Sequence, residues 1–277
     1  MTTHTDEILV LGATGKVGRR LVRTLRSAGR PVRAVSRSGA VRFDWTDRRT
    51  WSAALEGAAA VHLLAPEDPA LAPLFVKQAT EAGVSRFVAL SARGIDQVPP
   101  RFFRGMAAAE EAVRDSGARW TILRPNNFSQ NFDEDVWHAP LRSGHLALPI
   151  GAVPEPFVDV QDIADVAAAV LTSDGHHGRV YELSGSRALT FEAAVATIAE
   201  AAGRPIRYTE LTPEEYKADL LAAGVPEETA DELNAMFATM RAGHFAEPGT
   251  GVREVLGRAP VDFATYAARA AAAGAWD

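Results

Sequence analysis

Cysteine is absent from the chain of 277 residues, which excludes disulfide bonds, thiolate metal sites and cysteine nucleophiles. The chain also lacks any apolar run as long as a membrane span, and its first residues do not have the character of a signal peptide. These absences together predict a cytoplasmic protein, because disulfides are rare in that compartment.

The net charge is −6, and acidic and basic residues are interspersed. We therefore expect neither nucleic acid nor an anionic membrane as a partner. We also expect no metal site, because the His176-His177 pair lies in a predicted exposed turn without further ligands nearby. We expect a small-molecule substrate, and a second protein component stays open as a further partner.

What the chain does contain, near its start, is a strand, a glycine turn and a helix in that order. The apolar run 8–11 meets Gly12, Gly15 and Gly18, and a helical pattern follows over 19–28. Glycines at this spacing let the backbone turn sharply and approach a pyrophosphate, which binds at the helix N-terminus. A P-loop is excluded because Val17 follows Lys16, where Ser or Thr is required.

The end of the second strand indicates which dinucleotide binds. NAD sites place Asp or Glu there to hold the ribose, whereas NADP sites place a cation there. This chain has Ser36-Arg37 and no acidic residue between Gly12 and Asp44. Because arginine binds phosphate oxygens through two parallel hydrogen bonds, we predict NADP(H) as the cofactor.

Strand and helix patterns alternate through most of the chain, which predicts an α/β fold with a Rossmann-type, doubly wound parallel sheet. The main strands are predicted at 7–11, 32–36, 59–64, 86–91, 119–123 and 179–183, and helices between them at 70–82, 104–116 and 161–172. Residues 126–156 look like a long loop. We expect a cofactor domain over 1–125, rejoined by about 157–185, and a smaller, mostly helical substrate lobe from 126–156 and 186–277.

The chain resembles the NmrA-like branch of the atypical short-chain dehydrogenases/reductases. The resemblance rests on Gly12-x-x-Gly15-x-x-Gly18, Arg37, Leu64-Ala65-Pro66, Leu90-Ser91-Ala92, the run from Ser116-Gly117 through Trp120 to Phe128, Pro156 to Ala164, and Leu256-Gly257-Arg258-Ala259-Pro260. Phe43-Asp44-Trp45 with Thr50-Trp51 also looks like the subgroup that contains ergot-alkaloid iminium reductases.

The resemblance implies a role for each matching residue. Thr14, Gly15, Lys16 and Val17 would surround the pyrophosphate, and Ser36 and Arg37 would bind the 2′-phosphate. Asp44 and Trp45 would border the adenine, with capping and rim packing as the structural alternatives. The nicotinamide side would be lined by Leu64, Ala65, Pro66, Ser91 and the segment from Pro125 to Phe128.

The Tyr-x-x-x-Lys pair of ordinary short-chain dehydrogenases has no counterpart in the sequence. Every tyrosine lies at position 181 or later, and no lysine lies between Lys77 and Lys217. Phe102 and Met106 occupy the two positions, which places Met106 beside the cofactor. Since that pair normally handles the carbonyl proton, Ser91 and Asn127 remain as candidate donors to a substrate oxygen, with His138 and His145 as further alternatives.

A reductase without this relay fits an acceptor that needs little acid assistance, such as a quinone or an iminium ion. We expect an aromatic substrate, because aromatic residues concentrate near the predicted nicotinamide: Phe102, Phe103, Phe128, Phe132 and Trp137, with Asn127 among them. The setting would be secondary metabolism. One variant is the reductase component of a flavin- and metal-independent oxygenation of polyketide quinones, with a second protein. The alternative is an inactive NADP(H)-binding redox sensor.

Overall fold

The computed structural model describes residues 6–99 and 101–277, which divide into two units. The first unit consists of Met1–Pro125, Val160–Leu183 and Thr250–Ala259, and the second of Asn126–Asp159, Ser184–Gly249 and Pro260–Asp277. The sequence-based expectation missed the third segment of the first unit, because the contacts that place it there join residues far apart in the chain.

The first unit is built on a seven-stranded parallel sheet in the order β3-β2-β1-β4-β5-β6-β8. Its strands are β1 (Glu7–Leu11), β2 (Val32–Ser36), β3 (Val41–Arg42), β4 (Ala58–Leu64), β5 (Arg86–Leu90), β6 (Arg119–Pro125) and β8 (Arg179–Leu183). The strand order reverses between β1 and β4, and ligands of such sheets bind outside the carboxyl ends of the strands at this point. The prediction of a Rossmann-type parallel sheet is confirmed.

Helices cover both faces of this sheet. They are α1 (Lys16–Ser27), α2 (Arg49–Leu55), α3 (Leu71–Glu81), α4 (Arg104–Asp115), α6 (Val160–Thr172) and α10 (Gly251–Leu256). On one face α1 packs against α6, and α6 against α10. On the other face α2, α3 and α4 enclose a core that contains Trp51, Phe75 and Phe87.

The second unit is mainly helical and has its own hydrophobic core. It contains a short 3₁₀ helix (Ser129–Asn131), α5 (His138–Arg142), β7 (His145–Leu148), α7 (Phe191–Ala202), β9 (Arg207–Glu210), α8 (Pro213–Ala222), α9 (Glu227–Arg241) and α11 (Phe263–Ala272). Strands β7 and β9 pair in parallel, with His145 opposite Arg207. Segment 126–156 is therefore not a continuous loop, because it contains the 3₁₀ helix, α5 and β7.

Within residues 6–99 and 101–277, none of the helices combines the length and the apolar character that crossing a membrane requires.

Candidate active site

The glycine turn after β1 has a geometry that side chains would block. Gly12 has a φ of +66°, and a Cβ atom there would lie 2.4 Å from Leu64 Cδ2. A Cβ atom on Gly18 would lie 2.2 Å from the Gly12 carbonyl oxygen, so α1 packs directly on the turn. Helix α1 begins at Lys16 and has no acidic residue in its first turn. Its positive end is thus suited to an anion.

The turn lies beside the end of β2, because the Ala13 N–H donates to the Val35 carbonyl at 3.0 Å. At this end Ser36 is 8% exposed, and among the described residues its Oγ has no hydrogen-bond partner. Arg37 follows and is exposed. A buried hydroxyl without a partner is unfavourable, so the pair fits a ligand that brings acceptor oxygens, as a ribose phosphate does.

Asp44 and Trp45 follow β3 at the same edge of the sheet. The Asp44 carboxylate accepts hydrogen bonds from Thr46 Oγ1 at 2.8 Å and from the Thr46 N–H at 3.0 Å, and these bonds lower its pKa. Trp45 is half-buried and meets the rings of Phe43 and Phe75 edge-on, each at 5.1 Å. Both residues have structural roles here, and their predicted contact with adenine stays a prediction.

On the other side of β1, helix α4 is fixed against the end of β4. A Cβ atom on Gly105 would lie 1.7 Å from the Pro66 carbonyl oxygen, so the helix touches the backbone at this point. Just before the helix, Phe103 adopts a left-handed conformation with a φ of 55° and is 38% exposed. Phe102 and Met106 are half-buried. The predicted cofactor and substrate residues of the first unit therefore share one edge of its sheet.

Ser91, which follows β5, belongs to a network around the buried carboxylate of Glu110 that the sequence analysis missed. Its Oγ donates to Glu110 Oε1 at 2.6 Å. Arg124 Nε and Nη2 donate to the two oxygens of the same carboxylate at 2.8 and 2.7 Å, and Arg124 also pairs with Asp96 at 2.5 Å. Arg114 Nη2 lies 2.9 Å from Glu110 Oε2.

This network bears on the predicted role of Ser91. In this structure its hydroxyl donates to Glu110. The role of Ser91 as a donor to a substrate oxygen stays a prediction. The sequence signal for the network is an acidic residue four positions after Met106, where the helix face is otherwise apolar.

The predicted site residues of the second unit differ in how deeply they are buried. Asn127 and Phe128 are half-buried, and backbone bonds hold both next to Val158. In contrast, Phe132 is completely buried, and Trp137 packs against it with ring centroids 4.7 Å apart. The expectation that Phe132 and Trp137 contact substrate is corrected, because both form the core of the unit with residues such as Phe191.

A parallel sheet with a glycine turn at its switch point defines a dinucleotide-binding α/β protein. The model of the NmrA-like family matches residues 4–259, and the chain belongs to this family. The resemblance stated from the sequence is thereby confirmed.

Three similar proteins illustrate the activities of its relatives. NAD(P)H azoreductase of Xenophilus azovorans is 33% identical, with 97% of this chain and 99% of that protein covered. Agroclavine dehydrogenase of Claviceps fusiformis is 29% identical, with 94% and 95% covered. An NADPH-dependent quinone oxidoreductase (QOR2) of Escherichia coli has a solved structure that matches with a TM-score of 0.80, 24% identity, and 95% and 98% coverage.

Proposed function

We propose that this protein is an NADP(H)-dependent reductase that transfers hydride to activated aromatic acceptors of the quinone or iminium type. The observation that carries the proposal is that every tyrosine of the chain lies at position 181 or later, beyond the segment where ordinary short-chain dehydrogenases keep their proton donor. Phe102 and Met106 occupy the positions of the tyrosine and lysine, and the Ser91 proton is directed at Glu110. Without an acid, the acceptor itself must stabilise the incoming electron pair.

The first unit supplies the residues that would hold the cofactor. Residues Thr14 to Val17, at the start of α1, would hold the pyrophosphate, and Ser36 and Arg37 would take the 2′-phosphate. The absence of a carboxylate at the end of β2 favours NADP(H) over NAD(H). When bound, this cofactor supplies a hydride with its electron pair. The chain's own contribution is to bind and orient the two reactants.

The backbone conformation and the exposure of Phe103 support the proposal of an aromatic substrate. Of the described non-glycine residues, it is the one with a left-handed backbone, and such strain is found where a function requires it. An exposed ring beside Phe102 gives a flat acceptor an apolar surface. The Asn127 side-chain amide forms no hydrogen bond within the described chain and is a candidate donor to a substrate oxygen.

The proton balance agrees with this substrate class. A quinone that gains a hydride becomes a hydroquinone anion, which the ring stabilises until solvent supplies the proton. An iminium ion becomes a neutral amine and needs no proton. A simple ketone would instead form an alkoxide, with no acid group beside it to supply a proton.

A cytoplasmic role in secondary metabolism is part of the proposal. It includes the variant in which the hydroquinone reacts with dioxygen beside a second protein.

The proposal is tested by NADPH consumption against matched quinones, cyclic iminium ions and simple ketones, with and without dioxygen. Quinones or iminium ions should exceed ketones in kcat/KM by at least about 10²-fold, the lower value of general-acid assistance. Efficient oxidation of ordinary secondary alcohols with NADP⁺ would overturn the mechanism. Tight NADPH binding with no turnover of any acceptor would favour the redox-sensor alternative.

A variant of Phe102 tests the substrate surface separately. Phe102→Ala should raise the KM for an aromatic quinone and leave hydride transfer in the saturated enzyme largely intact, because no proton passes through this position. Val136→Ala is the matched control, since Val136 is an exposed apolar residue of the other unit with no assigned role. A loss of kcat with an unchanged KM in Phe102→Ala would contradict this assignment.

A further inference from the structure

Glu110 is a buried carboxylate that the proposed reduction does not use. It is 2% exposed and lies one turn after Met106 on α4, the helix that Gly105 fixes against Pro66. Ser91, its hydrogen-bond partner, is 3% exposed and follows β5. A charged group at this depth, next to the end of a central strand, needs an explanation beyond surface solvation.

The hydrogen bonds around Glu110 fix the direction of the Ser91 hydroxyl. Burial by itself would raise the pKa of Glu110, but hydrogen bonds from Arg124 and Ser91 outweigh it and keep the pKa below its ordinary value. The carboxylate is therefore ionised at neutral pH and can only accept hydrogen bonds. Since Oε1 faces the hydroxyl at 2.6 Å, the Ser91 proton points at Glu110 and its lone pairs point elsewhere.

We infer that Glu110 is a positioning residue that keeps Ser91 as a hydrogen-bond acceptor, so that the reductase excludes acceptors which require a proton from the protein. This inference rests on the proposed function and extends it to substrate selection. Ser91 then binds N–H or O–H groups of a ligand, and a carbonyl oxygen that must become an alcohol finds no donor from it.

Replacing Glu110 with glutamine should reverse the direction of the hydrogen bond between this residue and the Ser91 hydroxyl. If the glutamine amide nitrogen takes the position of Oε1, it cannot accept from Arg124 Nε, and one arginine contact is lost. At the Oε2 position it would meet two arginine donors, Arg124 Nη2 and Arg114 Nη2. The nitrogen is therefore expected at the Oε1 position, where it donates to Ser91 Oγ. The serine proton becomes free to point at a ligand.

The experiment compares kcat/KM for one quinone and one activated aryl ketone in the wild type and in Glu110→Gln. We expect the ketone-to-quinone ratio to rise about tenfold or more, since a single well-placed donor to a developing oxyanion is worth about 10²–10³-fold. A purely structural role for Glu110 would lower both activities and leave the ratio unchanged, and that result would overturn the inference.

Two further variants separate positioning from structural damage. Arg114→Gln weakens the same ion pair without touching the Ser91 bond, so its ratio should match the wild type. In a Ser91→Ala background, Glu110→Gln should no longer change the ratio, because the hydroxyl that it reorients is missing. A rise in the ratio in Arg114→Gln, or in the double variant, would contradict the inference.

Ser91→Ala alone keeps the inference testable if Glu110→Gln does not fold. Because the wild-type serine donates no proton to substrate, its removal should change ketone and quinone turnover by the same factor. A selective loss of ketone turnover by 10²-fold would show that Ser91 is a donor and would overturn the inference. Failure of the wild type to reduce any quinone or iminium ion would instead contradict the proposed function.

Discussion

At the residue scale, the prediction about which dinucleotide binds depends most directly on Arg37. Arg37→Asp should weaken NADPH binding by at least about tenfold and leave NADH binding much less affected. A charge-assisted hydrogen bond contributes about 1.5–3 kcal/mol, and every 1.4 kcal/mol is about tenfold in affinity. Calorimetric titration of both dinucleotides measures the effect.

Arg30→Asp is the control for that variant, because Arg30 is exposed in the same unit but lies after α1, not at the end of β2. Its affinity ratio between the two dinucleotides should stay that of the wild type. If the wild type binds NADH as tightly as NADPH, the interpretation of Ser36-Arg37 is wrong.

His62 predicts how stability depends on pH. It lies on β4 between Val10 and Val88, and within the described chain neither ring nitrogen has a hydrogen-bond partner. Burial lowers its pKa to about 4, an effect that the nearby Leu11 backbone opposes to a smaller extent. The ordinary pKa of histidine is 6.5, so below this pH the folded protein binds fewer protons than the unfolded chain. Stability should fall as the pH drops from 6.5 to 4, by about 3 kcal/mol in total.

His62→Leu removes the titrating group and fills a similar volume, so the variant should lose less stability than the wild type on acidification. Thermal unfolding midpoints at pH 7, 6 and 5 measure the difference, which should widen at each step. His244→Gln is the control, because His244 is an exposed histidine of the second unit. A difference between His62→Leu and the wild type that does not vary with pH would contradict this account.

At the element scale, the position of α4 depends on one glycine. Gly105→Ala should destabilise the protein by about 1–3 kcal/mol, because the new Cβ atom meets the Pro66 backbone and not a flexible side chain. The helix start must move, so quinone kcat/KM should fall as well. Thermal unfolding and steady-state kinetics check both effects.

Ala107→Ser is the matched control on an exposed position of the same helix and should change stability by no more than about 0.5 kcal/mol. A Gly105→Ala variant as stable and active as this control would show that α4 is not fixed at Pro66.

The elements that sequence reasoning predicted well are those whose signals are local. The glycine turn, the helix after it and the central strands have apolar runs or periodic patterns of their own, and their predicted bounds agree with β1, β2, β5 and β8 to within a residue. β7 has no such signal, because its pairing with β9 joins residues about sixty positions apart. Short helices such as α2, α5 and α10 contain too few turns for periodicity to show.

The candidate site also has a part that the sequence predicts and a part that it does not. The residues proposed to bind phosphate are predicted from residue types at fixed spacing, because a glycine turn and a strand end are adjacent in any such sheet. The Ser91–Glu110 bond depends on how α4 packs against β5, which no spacing reveals. Phe132 and Trp137 are expected at the substrate because aromatic residues concentrate near the predicted nicotinamide, whereas three separate stretches of the chain bury them.

At the scale of the whole molecule, charge is divided unequally between the two units. The first unit has 22 Lys and Arg against 17 Asp and Glu, a net charge of +5, whereas the second has 7 against 18, a net charge of −11. Charges are therefore less evenly interspersed than the sequence analysis expected. Residues 8–43, which include the glycine turn and the end of β2, contain nine cations and no acid.

This distribution predicts the sign of a salt effect. A protein of net charge −6 with evenly spread charge would repel the phosphates of NADPH, and added salt would speed association by screening that repulsion. If residues 8–43 dominate the local field, NADPH is attracted, and association should slow as salt is added. Stopped-flow association rates between about 20 and 500 mM NaCl, where the Debye length falls several-fold, decide between the two signs.

Arg26→Gln with Arg30→Gln tests the source of the attraction. Both residues are exposed on the basic segment, so the double variant should show a shallower salt dependence and an unchanged affinity at high salt. Lys77→Gln with Arg253→Gln removes the same charge from exposed positions of the first unit outside that segment, and its salt dependence should stay close to that of the wild type. Equal changes in both double variants would mean that NADPH responds to net charge and not to this segment. An association rate that rises with salt would mean that the net negative charge of the protein dominates the field.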